Sequence, residues 1–371
     1  MHKLIEFVKN EAVLAASAIL AVISSFFVKP DLQYAEYLDI KTLAILFSLM
    51  AIMAGLKSLG VFETVARNIL KMAKNVRMTA VVLVLLCFFS SMLITKDVAL
   101  ISFVPLAITA MDKSGAFTKS QKIFVIVMQT VAANLGSMLT PMGNPQNLYL
   151  YTLSGMSIAE FLKLMLPYTI LSLLMILIFM LVLKTKPIQT DNNKVRLSCS
   201  PKLITYLCLF VVSVAVVCGF LHYAVIFVAV LVFTLIADRK ALKDVDFKLL
   251  MTFAFFFVFI GNMGRMESFC NFIASVLNGR EVLCSVAASQ VISNVPCAIL
   301  LSGFTENITS LVVGTNIGGL GTLIASMASL ISYKYYCIYD SATKGKYIIF
   351  FSIINLLFLA VLLSFFAICR T

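Results

Sequence analysis

The sequence predicts an all-α polytopic membrane protein in which one order of elements occurs twice, in opposite orientations. Three observations predict it. Of the 371 residues, 61% are apolar and 12% charged, against about 45–50% and about 25% in water-soluble domains. The basic residues gather in a few connections between apolar runs. Two polar, glycine-bearing stretches, Asn134 to Thr140 and Asn316 to Thr322, stand inside apolar sequence and read alike.

The composition excludes a soluble enzyme, a nucleic-acid-binding domain and a disordered chain, because no water-soluble core needs so much apolar sequence. At about 20 residues per span the length allows about ten spans, so the main partner is the lipid bilayer. The net charge of +12 reads as a positive-inside signature rather than as a polyanion site. Nine cysteines show no CxxC spacing and lie mostly in apolar runs. They read as small core residues, with no zinc, redox or cofactor role.

The apolar runs are 11–28, 41–56, 78–111, 121–150, 161–183, 203–220, 222–237, 249–264, 282–304, 308–333 and 347–369. Lys3 and Lys9 ahead of the first run resemble a secretory signal, but the rest is equally apolar and a retained first helix is the better reading. The basic connections 57–77, 113–122, 184–202, 239–248 and 334–346 are all placed in the cytoplasm.

That placement makes 78–111 a hairpin, since basic connections flank it on both sides. Arms of 78–94 and 98–111 would be roughly 25 and 21 Å long, and the second falls short of a core about 30 Å thick. The bend at Thr95, Lys96 and Asp97 then lies within the membrane; the alternative is two full spans with an external turn. For 282–304, a single span would reverse every later segment and put Lys334, Lys344 and Lys346 outside. Two arms of about ten residues meeting at Ser293 and Asn294 keep them inside and cannot cross. The count is about nine crossings and two re-entrant hairpins, with the N-terminus cytoplasmic and the C-terminus outside.

The two alike stretches each follow a hairpin, each hairpin follows an amphipathic segment (61–75, 266–279), and each segment follows a span (41–56, 249–264). Parity gives the two copies opposite orientation, the inverted repeat of secondary transporters. The halves are 1–183 and 203–371, joined by a cytoplasmic linker, 184–202. Gly136, Pro141, Gly143, Pro145, Gly318, Gly319 and Gly321 mark two broken helices, tolerated at membrane depth only where they are buried or line a cavity. A half-helix starting there offers unpaired N–H groups to an anion. The polar side chains of Thr95, Asn134, Ser137, Thr140, Asn144, Asn147, Ser293, Asn294, Asn316 and Thr322 can hold a cation or the uncharged parts of a substrate. Lys96 and Asp97 are costly in hydrocarbon and read either as a structural ion pair at the tip or as functional groups.

The residues Ser91 to Leu100, Asn134 to Asn147, Ser289 to Pro296 and Asn316 to Thr322 resemble the ion transporter superfamily: arsenite permeases, sodium/proton antiporters, and citrate and dicarboxylate transporters. The nearest resemblance is to an uncharacterised branch of inner-membrane permeases close to the arsenite permeases. It runs over essentially the whole chain, and Thr140-Pro-Met-Gly-Asn-Pro-Gln-Asn147 is its most specific part. The resemblance implies that two hairpin tips meet at the midplane. Substrate would be bound by Thr95, Lys96, Asp97, Asn144, Ser293, Asn294 and Thr322. Coupling ions would be held by Thr95, Asp97, Asn134, Gly136, Thr140, Gly143, Ser293, Asn294, Asn316, Gly318 and Gly319. It also implies a homodimer, an elevator motion, and coupling to sodium or protons. Lys96 departs from the family's asparagine, and its ammonium would repel a sodium ion.

An intramembrane enzyme would need a nucleophile with its base, or metal ligands. The chain has only His2 and His222, and neither HExxH nor GxSxG. The expectation is a secondary active transporter of a small anion or oxyanion in the cell membrane, with no resident cofactor. The alternatives are a sodium/proton antiporter, an arsenite efflux permease and, last, an anion channel.

Overall fold

A computed structural model describes residues 11–188 and 197–370. Lys3 and Lys9, and Lys194 and Arg196 of the 184–202 connection, lie outside these residues. Within them the regular structure is helical, apart from a single bridge between Asn75 and Pro187.

The first half contains α1 (Ala12–Phe27), α2 (Ile40–Ser58), α3 (Val61–Leu70), α4 (Val76–Leu93), α5 (Lys96–Ser114), α6 (Lys119–Gly136), α7 (Pro145–Ser154) and α8 (Ile158–Met180). The second contains α9 (Pro201–Val217), α10 (Tyr223–Ala237), α11 (Arg239–Lys243), α12 (Phe247–Gly264), α13 (Glu267–Leu277), α14 (Glu281–Ile292), α15 (Asn294–Ser302), α16 (Ile308–Ile317), α17 (Met327–Tyr339) and α18 (Lys344–Arg370).

Local chemistry sets many of these ends. Asn75 caps α4 by accepting from the Met78 N–H at 2.8 Å. Thr118 with Gln121, and Ser157 with Glu160, form capping boxes at α6 and α8. Gly115 and Gly155 close α5 and α7 in the left-handed region, where glycine carries no Cβ penalty.

Six stretches are long and apolar enough to cross a bilayer by length and composition, among the described residues: 32–58, 76–93, 119–139, 158–180, 247–264 and 341–369. The shorter α1, α9 and α10 are apolar too. In α6 every residue from Ile123 to Gly136 is buried, with α4 and α5 packed against it.

Both predicted hairpins are helix–turn–helix pairs, but the first is longer than its sequence suggests. α4 and α5 have 18 and 19 residues, about 27 and 28 Å, because Lys96 and Asp97 form the first turn of α5 and Asp112 to Ser114 its last. Arm length therefore does not set the depth of this tip. In the second hairpin α14 and α15 have 12 and 9 residues, about 18 and 14 Å, and neither reaches across a 30 Å core.

Four of the basic connections meet in two pairs. The Val76 N–H donates to Lys186 O (2.9 Å) and Arg77 Nε to Leu183 O (2.7 Å), joining 57–77 to 184–202. Asp112, Lys122 and Tyr339 form one cluster, and Lys119 faces Asp340 at 3.6 Å, joining 113–122 to 334–346.

Candidate functional site

Each hairpin docks on its own helix break in the same way. Gly136, at the end of α6, packs so tightly on α4 that a Cβ there would lie 2.0 Å from Phe88 O and 2.6 Å from Ser91 Oγ. Gly318, after α16, packs on α14, where a Cβ would lie 2.7 Å from Ser289 Oγ. The Thr140 hydroxyl donates to Met92 O, and the Thr322 hydroxyl to Gln290 O at 3.2 Å. Met92 and Gln290 directly follow Ser91 and Ser289. Gln290 fixes the second break further: its Nε2 donates to Gly318 O and Leu320 O, and its Oε1 accepts from the Thr322 N–H.

The breaks are also bonded to each other. Asn134 Oδ1 accepts from Ser326 Oγ (2.9 Å) and its Nδ2 donates to Ser329 Oγ (3.4 Å). Asn316 Oδ1 accepts from Asn144 Nδ2 (3.2 Å) and its Nδ2 donates to Asn147 Oδ1 (2.6 Å). Asn144 and Asn147 follow Asn134 at the spacing at which Ser326 and Ser329 follow Asn316. These buried amides are spent on one another, as buried polar groups must be.

Both tips open on one cavity of ≈ 190 Å³, room for roughly a dozen water-sized probes. Thr95, Lys96, Asp97, Asn144 and Asn294 line it, together with Met327 at the start of α17. Four helix N-termini therefore converge there: α5, α7, α15 and α17. Only α7 has a side-chain cap, from Asn144 to the Asn147 N–H at 2.9 Å. The other three have no side-chain cap and project partial positive charge into the cavity, although the first N–H of α15, that of Asn294, donates to Ala325 O at 3.0 Å.

Of the site residues expected from sequence, Asn134, Gly136, Thr140, Gly143, Ser293, Asn316, Gly318, Gly319 and Thr322 do not line the cavity. They shape it from behind. A Cβ at Gly143 would lie 2.1 Å from Ser137 O, and one at Gly319 2.8 Å from Asn294 Nδ2. Ser293, at φ 72°, carries the sole positive φ of a non-glycine residue among the described residues, and its hydroxyl faces Ala325 O at 3.4 Å.

The Lys96–Asp97 ion pair entertained at the tip is not formed: neither residue has a salt-bridge partner within 4.0 Å, among the described residues. Successive residues on a helix point about 100° apart. Lys96 is 2% exposed, and Asp97 Oδ1 and Asn294 Oδ1 are buried without hydrogen-bond partners.

The remaining wall was not foreseen. Leu46, Leu49, Met50 and Met53 of α2 supply its apolar side, and Lys57, Asp244 and Asp246 stand at its rim. Asp246 is the cap of α12, accepting from the Leu249 N–H, which is the one sequence signal it carries. Gln146 is fully buried with neither side-chain atom bonded.

Comparison with known proteins gives the family of the chain. A family described as "Citrate transporter" (CitMHS) matches residues 4–308. The chain is 32% identical over 326 residues to an uncharacterised transporter, MJ0456, of Methanocaldococcus jannaschii, covering 88% of each chain. It is 29% identical over 302 residues to the inner membrane protein YbiR of Escherichia coli, covering 80% of each. The resemblance noted in the sequence thus holds over most of the chain, and with it a multi-pass membrane protein that transports rather than catalyses. The chain belongs to the CitMHS citrate transporter family.

Proposed function

We propose that this protein is a secondary active transporter that carries a small anion across the cell membrane by alternating access, coupled to sodium or protons. The observation that carries the reading is the convergence of four helix N-termini, three without side-chain caps, on a cavity that also holds Lys96. Together they offer an anion N–H donors, aligned dipoles and an ammonium.

The matched docking of hairpins on breaks supports two inverted repeats, 1–183 and 203–371, joined by 184–202. Re-entrant tips at the midplane are supported by the short arms of the second hairpin and by the meeting of both tips in one cavity. The pairing of 57–77 with 184–202 and of 113–122 with 334–346 supports a cytoplasmic face carrying 57–77, 113–122, 184–202, 239–248 and 334–346, with the N-terminus inside and the C-terminus outside. A homodimer and an elevator motion rest on the family resemblance.

Thr95, Lys96, Asp97, Asn144 and Asn294 touch the substrate in this reading; Ser293 and Thr322 hold the second tip in place. Asn134, Gly136, Thr140, Gly143, Asn316, Gly318 and Gly319 position the breaks and supply carbonyls for a coupling ion. A second reading, cation–proton exchange, draws on the carboxylates of Asp97, Asp244 and Asp246 around the same cavity. Uptake of radiolabelled citrate, succinate, phosphate and sulfate into proteoliposomes separates the two. The anion reading expects saturable uptake of at least one; a sodium-evoked proton flux with no anion uptake supports exchange instead.

A further inference from the structure

The matched contacts of the two halves align their tips residue by residue, and the aligned tips differ in kind. Ser91 and Ser289 each face the glycine of a break, and the carbonyls of Met92 and Gln290 each accept the threonine that ends it. Thr95 then stands where the other half has Ser293, Lys96 where it has Asn294, and Asp97 where it has Val295. Asn294 is 1% exposed, and its Oδ1 has no hydrogen-bond partner. Asn294 lines the cavity, and that oxygen is an unspent acceptor at the tip, suited to a cation or a donor. Lys96 is as deeply buried on the same wall and has no carboxylate within 4.0 Å, among the described residues. A buried ammonium so placed is expensive unless an anion arrives to pair with it.

We infer that Lys96 is a built-in counter-cation for the cargo, standing where the second half presents an oxygen. This rests on the anion-transport reading above. The first tip neutralises cargo charge with a group that never dissociates, so that half needs no diffusible cation. The second tip, with the free oxygen of Asn294, is the half left to recruit one. Lys96 is thus the residue that sets how many cations move with each anion.

The test is uptake of citrate, succinate, phosphate and sulfate by the purified full chain in proteoliposomes, with sodium exchanged for choline at constant ionic strength and pH. For Lys96→Asn, which gives both tips an oxygen, the order of uptake in sodium is expected to rise by one over wild type. Its affinity for the anion without sodium is expected to fall by roughly thirtyfold or more. Lys96→Arg, which keeps the charge, is expected to keep the wild-type order. An unchanged order in Lys96→Asn eluting as a single folded species, or a rise in Lys96→Arg equal to that in Lys96→Asn, overturns the inference. Should Lys96→Asn not fold, Asn294→Lys decides: an order lower by one supports the inference, and an unchanged order overturns it. Uptake of none of the four anions by the wild type overturns the anion-transport reading itself, and this inference with it. Anion uptake with an unaltered sodium order in Lys96→Asn overturns this inference alone.

Discussion

Asn316 donates its amide to Asn147 Oδ1 at 2.6 Å, and Asn134 makes the corresponding donation to Ser329 at 3.4 Å. Each break is thereby fastened to the helix that leaves the other. The fastening is asymmetric in strength, because an amide faces an amide on one side and a hydroxyl on the other.

Truncating the stronger side should therefore hurt more. Asn316→Ala leaves the buried Asn147 Oδ1 without its donor, a cost of about 1–3 kcal/mol, whereas Asn134→Ala strands two hydroxyls that can turn to other partners. The lower Tm is expected for Asn316→Ala, read as monodisperse protein surviving a temperature series on size exclusion. An equal loss in both variants would contradict the ranking.

Glycine at the close approaches is required by space. Gly136→Ala drives a methyl into Phe88 O and is expected to cost about 1–3 kcal/mol or more, seen as loss of folded protein after solubilisation. Gly345→Ala, with nothing within 4 Å of the new methyl and a helical backbone, is expected to be neutral or to stabilise by about 0.5–1 kcal/mol.

Backbone strain sits at the second tip. Ser293, at φ 72° and ψ 156°, occupies a region that favours glycine, at a cost on the order of 1–3 kcal/mol. Ser293→Gly is expected to raise the Tm and Ser293→Ala to leave it or lower it. If the hydroxyl also positions Asn294, both variants transport less well, so stability and activity move in opposite directions for glycine.

The connection after α17 carries a pH signature. Burial raises the Asp340 carboxyl, but the Thr343 hydrogen bond and the Lys119 ammonium outweigh it and hold it below its ordinary 3.8. A depressed folded-state pKa contributes stability that is present above the ordinary value and is lost as pH falls through the lower, folded one. The protection of amides 340–343, their slowing relative to an unstructured chain at the same pH, is expected to hold down to about pH 4 and to fall below it. Asp340→Asn should exchange faster at neutral pH, with little change in global stability, since the Lys119 end of the pair is exposed.

The sequence carried the breaks and tips because glycine, proline and asparagine inside apolar runs have few other reasons to be there. It carried α3 and α13 through their amphipathic faces. The start of α5 was misread, because Lys96 and Asp97 look like a turn in an apolar run, yet the acidic Asp97 suits a helix N-terminus. Lys57, Asp244 and Asp246 were invisible as site residues: they lie in ordinary charged connections, and only the placement of α2 along the cavity and of α12 against α15 brings them there. The packing role of Gly136 and Gly318 was equally hidden, since a broken helix and a close approach both call for glycine.

The central claim is that the two tips enclose one anion site that opens in turn to both faces of the membrane. Its most direct test is the labelling of Val295→Cys by a membrane-impermeant maleimide, in right-side-out and inverted vesicles, counted above that of the native cysteines. The account predicts labelling from both sides, slowed by the transported anion. Labelling from one side only, at a rate the anion does not change, would contradict it.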